Sequence, residues 1–163
     1  MIKSEIISDS INPCGNRLTT FVLEFPRWIL AEVNTHRMLS KNAASSRAIP
    51  IERMIEMVKT NPAVPSFWGK NQSGMQSEEE LTGEALQEVK DAWLRARDRA
   101  IESAQELSKI GLHKQYVNRT IENFMHVRII LSGTEFQNFF ALRAHKDAQP
   151  EFQRLAFSML DNY

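Results

Sequence analysis

From Thr35 to Arg47 the chain reads Thr-His-Arg-Met-Leu-Ser-Lys-Asn-Ala-Ala-Ser-Ser-Arg. Most of these side chains carry a hydrogen-bond donor, which core packing explains poorly and an anionic ligand explains well. Arginine offers a planar fork matched to phosphate and carboxylate. Serine and asparagine add short bonds that fix a ligand's orientation. A second cluster runs Asn138-Phe139-Phe140-Ala141-Leu142-Arg143, followed by Ala148-Gln149-Pro150-Glu151, and Arg119 lies between the two. Arg37, Arg47, Arg119 and Arg143 are candidates for a pocket that takes one or two phosphorylated ligands.

Each residue also has a plainer reading. His36 and Arg37 suit a helix C-terminus, where cations are favoured. Ser40 to Ser46 reads as a polar loop, Asn138 as an exposed helical residue, and Arg143 as a surface cation beside Asp147. Singly, these plainer roles are the better account. Together, the dense donor set favours a ligand without naming it.

Other chemistries find little support. His36, His113, His126 and His145 lack a paired metal spacing, so no metal site is expected. Cys14 sits in a turn without a nearby base. There is no P-loop or Rossmann glycine pattern, and Ser45 is in no nucleophile elbow.

The elements that must position these residues can be read from periodicity. Residues 2–8 suit a first strand, and Asn12-Pro13-Cys14-Gly15-Asn16 a turn. Leu18 to Phe25 alternates as a strand, and Pro26 opens a helix with Ile29, Leu30 and Val33 on its apolar face. His36 and Arg37 fall near that helix's end. Pro50 opens another helix, with Ile51, Met54, Ile55 and Val58 at helical spacing. Asn61 to Gln76 reads as a long loop, a candidate lid. Ser77 with Glu80 fits a capping box, with Glu78-Glu79-Glu80 at the helix start.

The helix after this box runs to about Ile110 and stops at Gly111. Its expected buried stripe is Leu86, Val89, Trp93, Ala96, Ala100, Ala104 and Leu107, with Asp91 and Arg95 paired outside. Residues 113–124 read as a helix carrying Asn118 and Arg119, and Val127 to Leu131 as a strand. Two helical segments come after Gly133, with Pro150 restarting the second. The fold class is α+β: one helix-rich domain, residues 1–163, with a small antiparallel sheet.

Composition bounds the rest. With 163 residues, 20 basic and 20 acidic side chains and zero net charge, the chain fits one globular domain and shows no basic excess for nucleic acid. The start lacks a signal-peptide pattern, and no apolar run could span a bilayer, so no membrane partner is expected. The single cysteine cannot form an internal disulfide, so the expected setting is a reducing cytoplasm.

At its two clusters the chain resembles the flavin-dependent thymidylate synthases. That family's signature is Arg-His-Arg, two residues, Ser, one residue, Asn, two residues, Ser, one residue, Arg. His36, Arg37, Ser40, Asn42, Ser45 and Arg47 match it in register. Asn138 to Arg143 and Ala148 to Glu151 resemble the second conserved block, and Arg119 falls where the family has another nucleotide-binding arginine. The resemblance covers roughly residues 17 to 157.

The resemblance implies a family-like fold and assigns roles. His36 and Arg37 contact the flavin, with Thr35 at the signature's first position and Asn138 also touching FAD. Ser45 and Arg47 hold deoxyuridine monophosphate, and Arg119 helps. Arg143 faces the uracil and stabilises negative charge on the ring, as a fixed cation can. The family makes thymidylate from deoxyuridylate with methylenetetrahydrofolate, NADPH and FAD, without a catalytic cysteine, in homotetramers. Two variants of this reading are a divergent pyrimidine-nucleotide one-carbon transferase, for example a hydroxymethylating one, and a non-catalytic nucleotide- or flavin-binding homologue.

The chain departs from the family pattern at four places. Thr35 replaces the signature's first arginine, Ala43 a frequent Glu, and Ala48 a common Tyr. The family's upstream flavin-contacting histidine is replaced near Arg17, which could supply charge instead. Family chains also commonly continue past the position of Tyr163, so a terminal segment is expected to be missing or the branch to be short.

Overall fold

The computed structural model describes residues 2–163. The chain divides into two compact units: residues up to Ala44 together with His126–Tyr163, and Ser45–Met125.

The first unit is built on an antiparallel sheet of β1 (Lys3–Ile11), β2 (Arg17–Pro26), β3 (Ser40–Ala43) and β4 (His126–Gly133), in the order β1-β2-β4-β3. Period-2 alternation puts Phe21, Leu23 and Phe25 of β2 on one face. The register sets them opposite Leu131, Ile129 and Val127 of β4. All six are buried. Ile29, Val33 of α1 (Leu30–Asn34), Phe139 of α5 (Gln137–Arg143), and Phe152, Leu155 and Met159 of α6 (Pro150–Asn162) complete this core. Each such side chain contributes about 1.5–3 kcal/mol through burial.

β1 extends to Ile11, beyond the expected residue 8, and a bulge interrupts it between Ile6 and Ser8. At the turn, the Asn12 side-chain oxygen accepts the N–H groups of Cys14 and Asn16 at 3.0 and 2.9 Å. The helix after Pro26 is short: a 3-10 turn at Arg27–Ile29 precedes the five-residue α1. Pro150 does restart helix, standing in the first turn of α6.

β3 corrects the expectation of a polar loop. Ser40 to Ala43 pair with Ser132 to Ile129 of β4 and form the sheet edge. An edge strand with one exposed face can be polar throughout, so it leaves no apolar alternation to read.

The second unit contains a 3-10 turn at Ser46–Ala48, α2 (Ile51–Thr60), α3 (Gly83–Ile110), α4 (Lys114–Val117) and a 3-10 segment at Asn118–Phe124. Ile51, Met54, Ile55 and Val58 of α2 are buried, as their spacing predicts. They pack with Ile101, Ala104, Val117, Ile121, Phe124 and Met125. Trp93 of α3 donates its indole N–H to the Ala63 carbonyl at 3.0 Å and stands edge-on to Trp68 and Phe124. This ties the loop from Asn61 to the helix.

Three expectations about α3 need correction. The helix starts at Gly83, not at Ser77, and Thr82 makes no side-chain cap. Ser77 instead donates to the Lys70 and Glu79 carbonyls, while Glu80 accepts the Trp68 N–H. A bridge between Gly69 and Glu80 claims the expected capping residues for the loop. The stripe is also narrower than expected: Ile101 and Ala104 are buried, Leu86, Val89, Trp93, Ala100 and Leu107 partly so, and Ala96 is exposed. Asp91 accepts from Gln87 at 2.9 Å where a pair with Arg95 was expected. Gly111 ends the helix at φ +98°, and Leu112 N–H bonds back to the Leu107 carbonyl.

Residues 114–124 are helical, but only the first four are α; the rest wind as 3-10 helix. Among the described residues, no helix is long and apolar enough to cross a membrane.

Candidate functional site

In the first unit the fold brings two of the candidate residues together. His36 lies in the turn after α1, and Arg143 is the last residue of α5. The Arg143 Nε–H donates to His36 Nε2 at 2.9 Å. The guanidinium also lies over the Phe152 ring, 4.5 Å from its centroid, and its NH1 is 3.8 Å from Glu32 Oε2. Arg143 is therefore not the surface partner of Asp147, which instead stands 3.6 Å from His145.

His36 is half-buried and meets Phe139 and Phe152 edge-on, at 4.9 and 5.8 Å between centroids. Burial lowers its pKa below the ordinary 6.5, and the Arg143 and Lys41 charges lower it further. A neutral imidazole is also what the geometry requires, because Nε2 can accept from Arg143 only while it carries no proton. Lys41, opposite Leu131 in the sheet, donates its ammonium to the His36 carbonyl, and burial lowers its pKa. The turn that carries His36 is thus held from its backbone and from its ring.

The other candidates in this unit face solvent. Arg37 and Asn138 are exposed and, among the described residues, have no ion-pair or hydrogen-bond partner for their side chains. Thr35 is exposed, and its hydroxyl donates to the Glu32 carbonyl at 2.6 Å. Arg37 and Asn138 thus keep donors for an acceptor-rich ligand, whereas the Thr35 hydroxyl commits its one proton to Glu32. Arg17 does not belong with them. Asp9 holds its guanidinium at 2.8 Å, and the Tyr163 ring lies 4.2 Å from it, so its charge is already balanced.

In the second unit, Ser45, Arg47 and Arg119 are all exposed. Beneath them lies a buried framework. Asn118 is fully buried and donates its amide to the Ser46 and Ile49 carbonyls at 2.7 and 2.9 Å. The Ser46 hydroxyl, also buried, donates to Glu122 Oε1 at 2.6 Å. Glu122 Oε2 receives Arg119 NH1 at 3.1 Å. The turn bearing Ser45 and Arg47 is therefore fastened to the 3-10 segment bearing Arg119.

Residues 16–163 match the family described as thymidylate synthase complementing protein. The chain belongs to this family. No curated protein matches it in sequence. Among solved structures, it is similar to a UMP/dUMP methylase, PolB, from Streptomyces cacaoi, bound with 5-Br UMP. That likeness has a TM-score of 0.80 at 17% identity, over 98% of this chain and 86% of the other. The same methylase bound with 5-Br dUMP matches with a TM-score of 0.77 at 15% identity, over 98% and 88% of the two chains. At these identities the likeness establishes a shared fold, and the α+β class with a small antiparallel sheet agrees with it.

Within this family chain, several residues now stand beside the candidates that sequence alone did not single out. Glu32, Lys41, Phe139 and Phe152 surround His36 and Arg143; Lys41 lies five residues from His36, whereas the contacts of Glu32 with Arg143, Phe139 with His36 and Phe152 with both come from long-range packing. Ser46 and Glu122 support Ser45, Arg47 and Arg119. Glu122 did leave a trace, as an acid three residues after Arg119. Among the described residues, no cluster of three or more His, Cys, Asp or Glu side chains could hold a metal.

Proposed function

We propose that this chain is a flavin-dependent thymidylate synthase. It converts deoxyuridine monophosphate to thymidylate, with methylenetetrahydrofolate as one-carbon donor and NADPH as reductant. Family membership supports the class of reaction. The observation that carries the reading further is the bond from Arg143 to His36, which sets a cation on a neutral acceptor inside an aromatic frame. A guanidinium held by its Nε keeps other N–H groups to present to a developing anion, with little reorganisation.

In this reading Arg143 faces the uracil and stabilises negative charge on the ring. Ser45, Arg47 and Arg119 bind the nucleotide. Thr35, His36, Arg37 and Asn138 hold FAD, whose bound form supplies the redox chemistry that links NADPH to reduction of the transferred carbon. The working form is a homotetramer, located in the cytoplasm, and the chain acts as a single functional domain.

A second reading has its own support. Both structural neighbours are described as a UMP/dUMP methylase. This chain would then be a broader pyrimidine-nucleotide one-carbon transferase that accepts the ribonucleotide as well. Incubation with FAD, NADPH, methylenetetrahydrofolate and either dUMP or UMP, under low oxygen, separates the readings by product mass. A methylated deoxynucleotide alone is expected. Methylated UMP, or a hydroxymethylated product, favours the second reading. Bound nucleotide without turnover, beside an active family enzyme as control, overturns both in favour of a non-catalytic homologue.

A further inference from the structure

Glu122 is an anion placed among residues that, in the proposed function, bind an anionic substrate. Simple electrostatics makes such a carboxylate a liability for phosphate binding. Its surroundings indicate another role. One carboxylate oxygen accepts the buried Ser46 hydroxyl at 2.6 Å, and the other accepts Arg119 NH1 at 3.1 Å. The Glu122 side chain is 16% exposed and that of Arg119 is 54% exposed. The carboxylate is therefore the fixed partner, and the guanidinium the one that reaches solvent.

The backbone explains the geometry. A 3-10 helix has three residues per turn, so side chains at i and i+3 eclipse. Asn118–Phe124 adopts this form, with Asn118, Ile121 and Phe124 buried in one column. Arg119 and Glu122 form the adjacent column. Ser46 is gripped twice from this segment: Asn118 takes its carbonyl and Glu122 its hydroxyl. Ser45 and Arg47 flank this anchored residue.

We propose that Glu122 is a positioning residue for the nucleotide phosphate, acting through Arg119 and through the turn that carries Ser45 and Arg47. The inference rests on the proposed binding of deoxyuridine monophosphate. Held by one NH1 contact, Arg119 keeps the rest of its fork for the ligand. Untethered, it would have to lose the rotamer freedom of a long side chain on binding.

The sign of one substitution tests this. Glu122→Gln keeps an oxygen to accept from Ser46 but removes the negative charge that holds Arg119. Electrostatics alone predicts tighter dUMP binding. Positioning predicts binding weaker by about tenfold, the scale of one charge-assisted hydrogen bond. Affinity for dUMP would be measured by calorimetry, and affinity for unphosphorylated deoxyuridine by competition. The proposal expects dUMP to weaken, deoxyuridine to stay unchanged, and Glu122→Gln to add nothing in an Arg119→Ala background.

Tighter or unchanged dUMP binding would overturn the proposal. So would equal weakening of both ligands, or a loss that persists without Arg119, since either marks a merely structural role. If the unaltered protein binds no dUMP at all, the functional reading falls and takes this inference with it. Unaltered binding with an insensitive variant overturns the inference alone.

Discussion

The Nε–H of Arg143 donates to Nε2 of His36 at 2.9 Å, across 107 residues of sequence. Neither side chain could be placed so from its own neighbourhood. α5 delivers Arg143 at its last residue, the turn after α1 delivers His36, and Phe152 of α6 supports both.

Arg143→Ala is expected to reduce turnover by about 10²–10³-fold, the scale of losing one preorganised donor to a developing anion. The protein should remain folded, because the guanidinium lies at the rim of the core. Steady-state kinetics and thermal unfolding on the same sample provide the check. A collapse of the melting transition would reassign Arg143 to a structural role.

The His36 imidazole has its pKa lowered by burial, by Arg143 and by Lys41, while Glu32 faces Arg143 from α1. Between that lowered value and the ordinary 6.5, the unfolded chain binds the proton and the folded one does not. Stability therefore rises with pH across this window. The contribution is complete above 6.5 and is lost as the pH falls through the folded value. Activity should decline on the same acid side as a protonated His36 releases Arg143. A His36→Gln variant should lack this acid limb in its pH–rate profile. An identical profile would assign the limb to another group.

Arg47→Ala should weaken dUMP binding at least tenfold, as expected for a charge-assisted contact, and change FAD binding little. Arg47 is exposed and has no ion-pair partner among the described residues, so stability should barely move. Equal losses for nucleotide and flavin, measured by titration, would place the residue elsewhere.

Asn118→Leu should destabilise the protein by about 1–3 kcal/mol, because it preserves bulk but deprives the Ile49 carbonyl of its donor and Ser46 of one of two. Both bonds are short, and Asn118 is fully buried. Denaturant unfolding measures this directly. An unchanged midpoint would mean that neither bond adds net stability.

Where local periodicity and burial coincide, the elements are legible in sequence. β2 alternates because one face is core, and Ile51, Met54, Ile55 and Val58 repeat at helical spacing because α2 buries one stripe. Gly111 marks a helix end because a left-handed residue is needed there. Elements held by tertiary pairing were harder to see. β3 is polar and exists by bonding to β4. Ser77 and Glu80 have capping chemistry but spend it inside a loop. The candidate residues themselves stood out by composition and by resemblance. The supports that aim them, Glu32, Lys41, Phe152 and Glu122, emerge only from the folded arrangement.

The 3-10 winding of Asn118–Phe124 also imposes a reading frame of three. Its buried column and the column of Arg119 and Glu122 interleave, so tolerance to substitution should keep the same beat, strict at 118, 121 and 124 and chemical at 119 and 122. One residue inserted ahead of Arg119 would rotate the remainder of the segment by a third of a revolution. It would carry the guanidinium off its column, and a neutral insert would do so without changing the net charge.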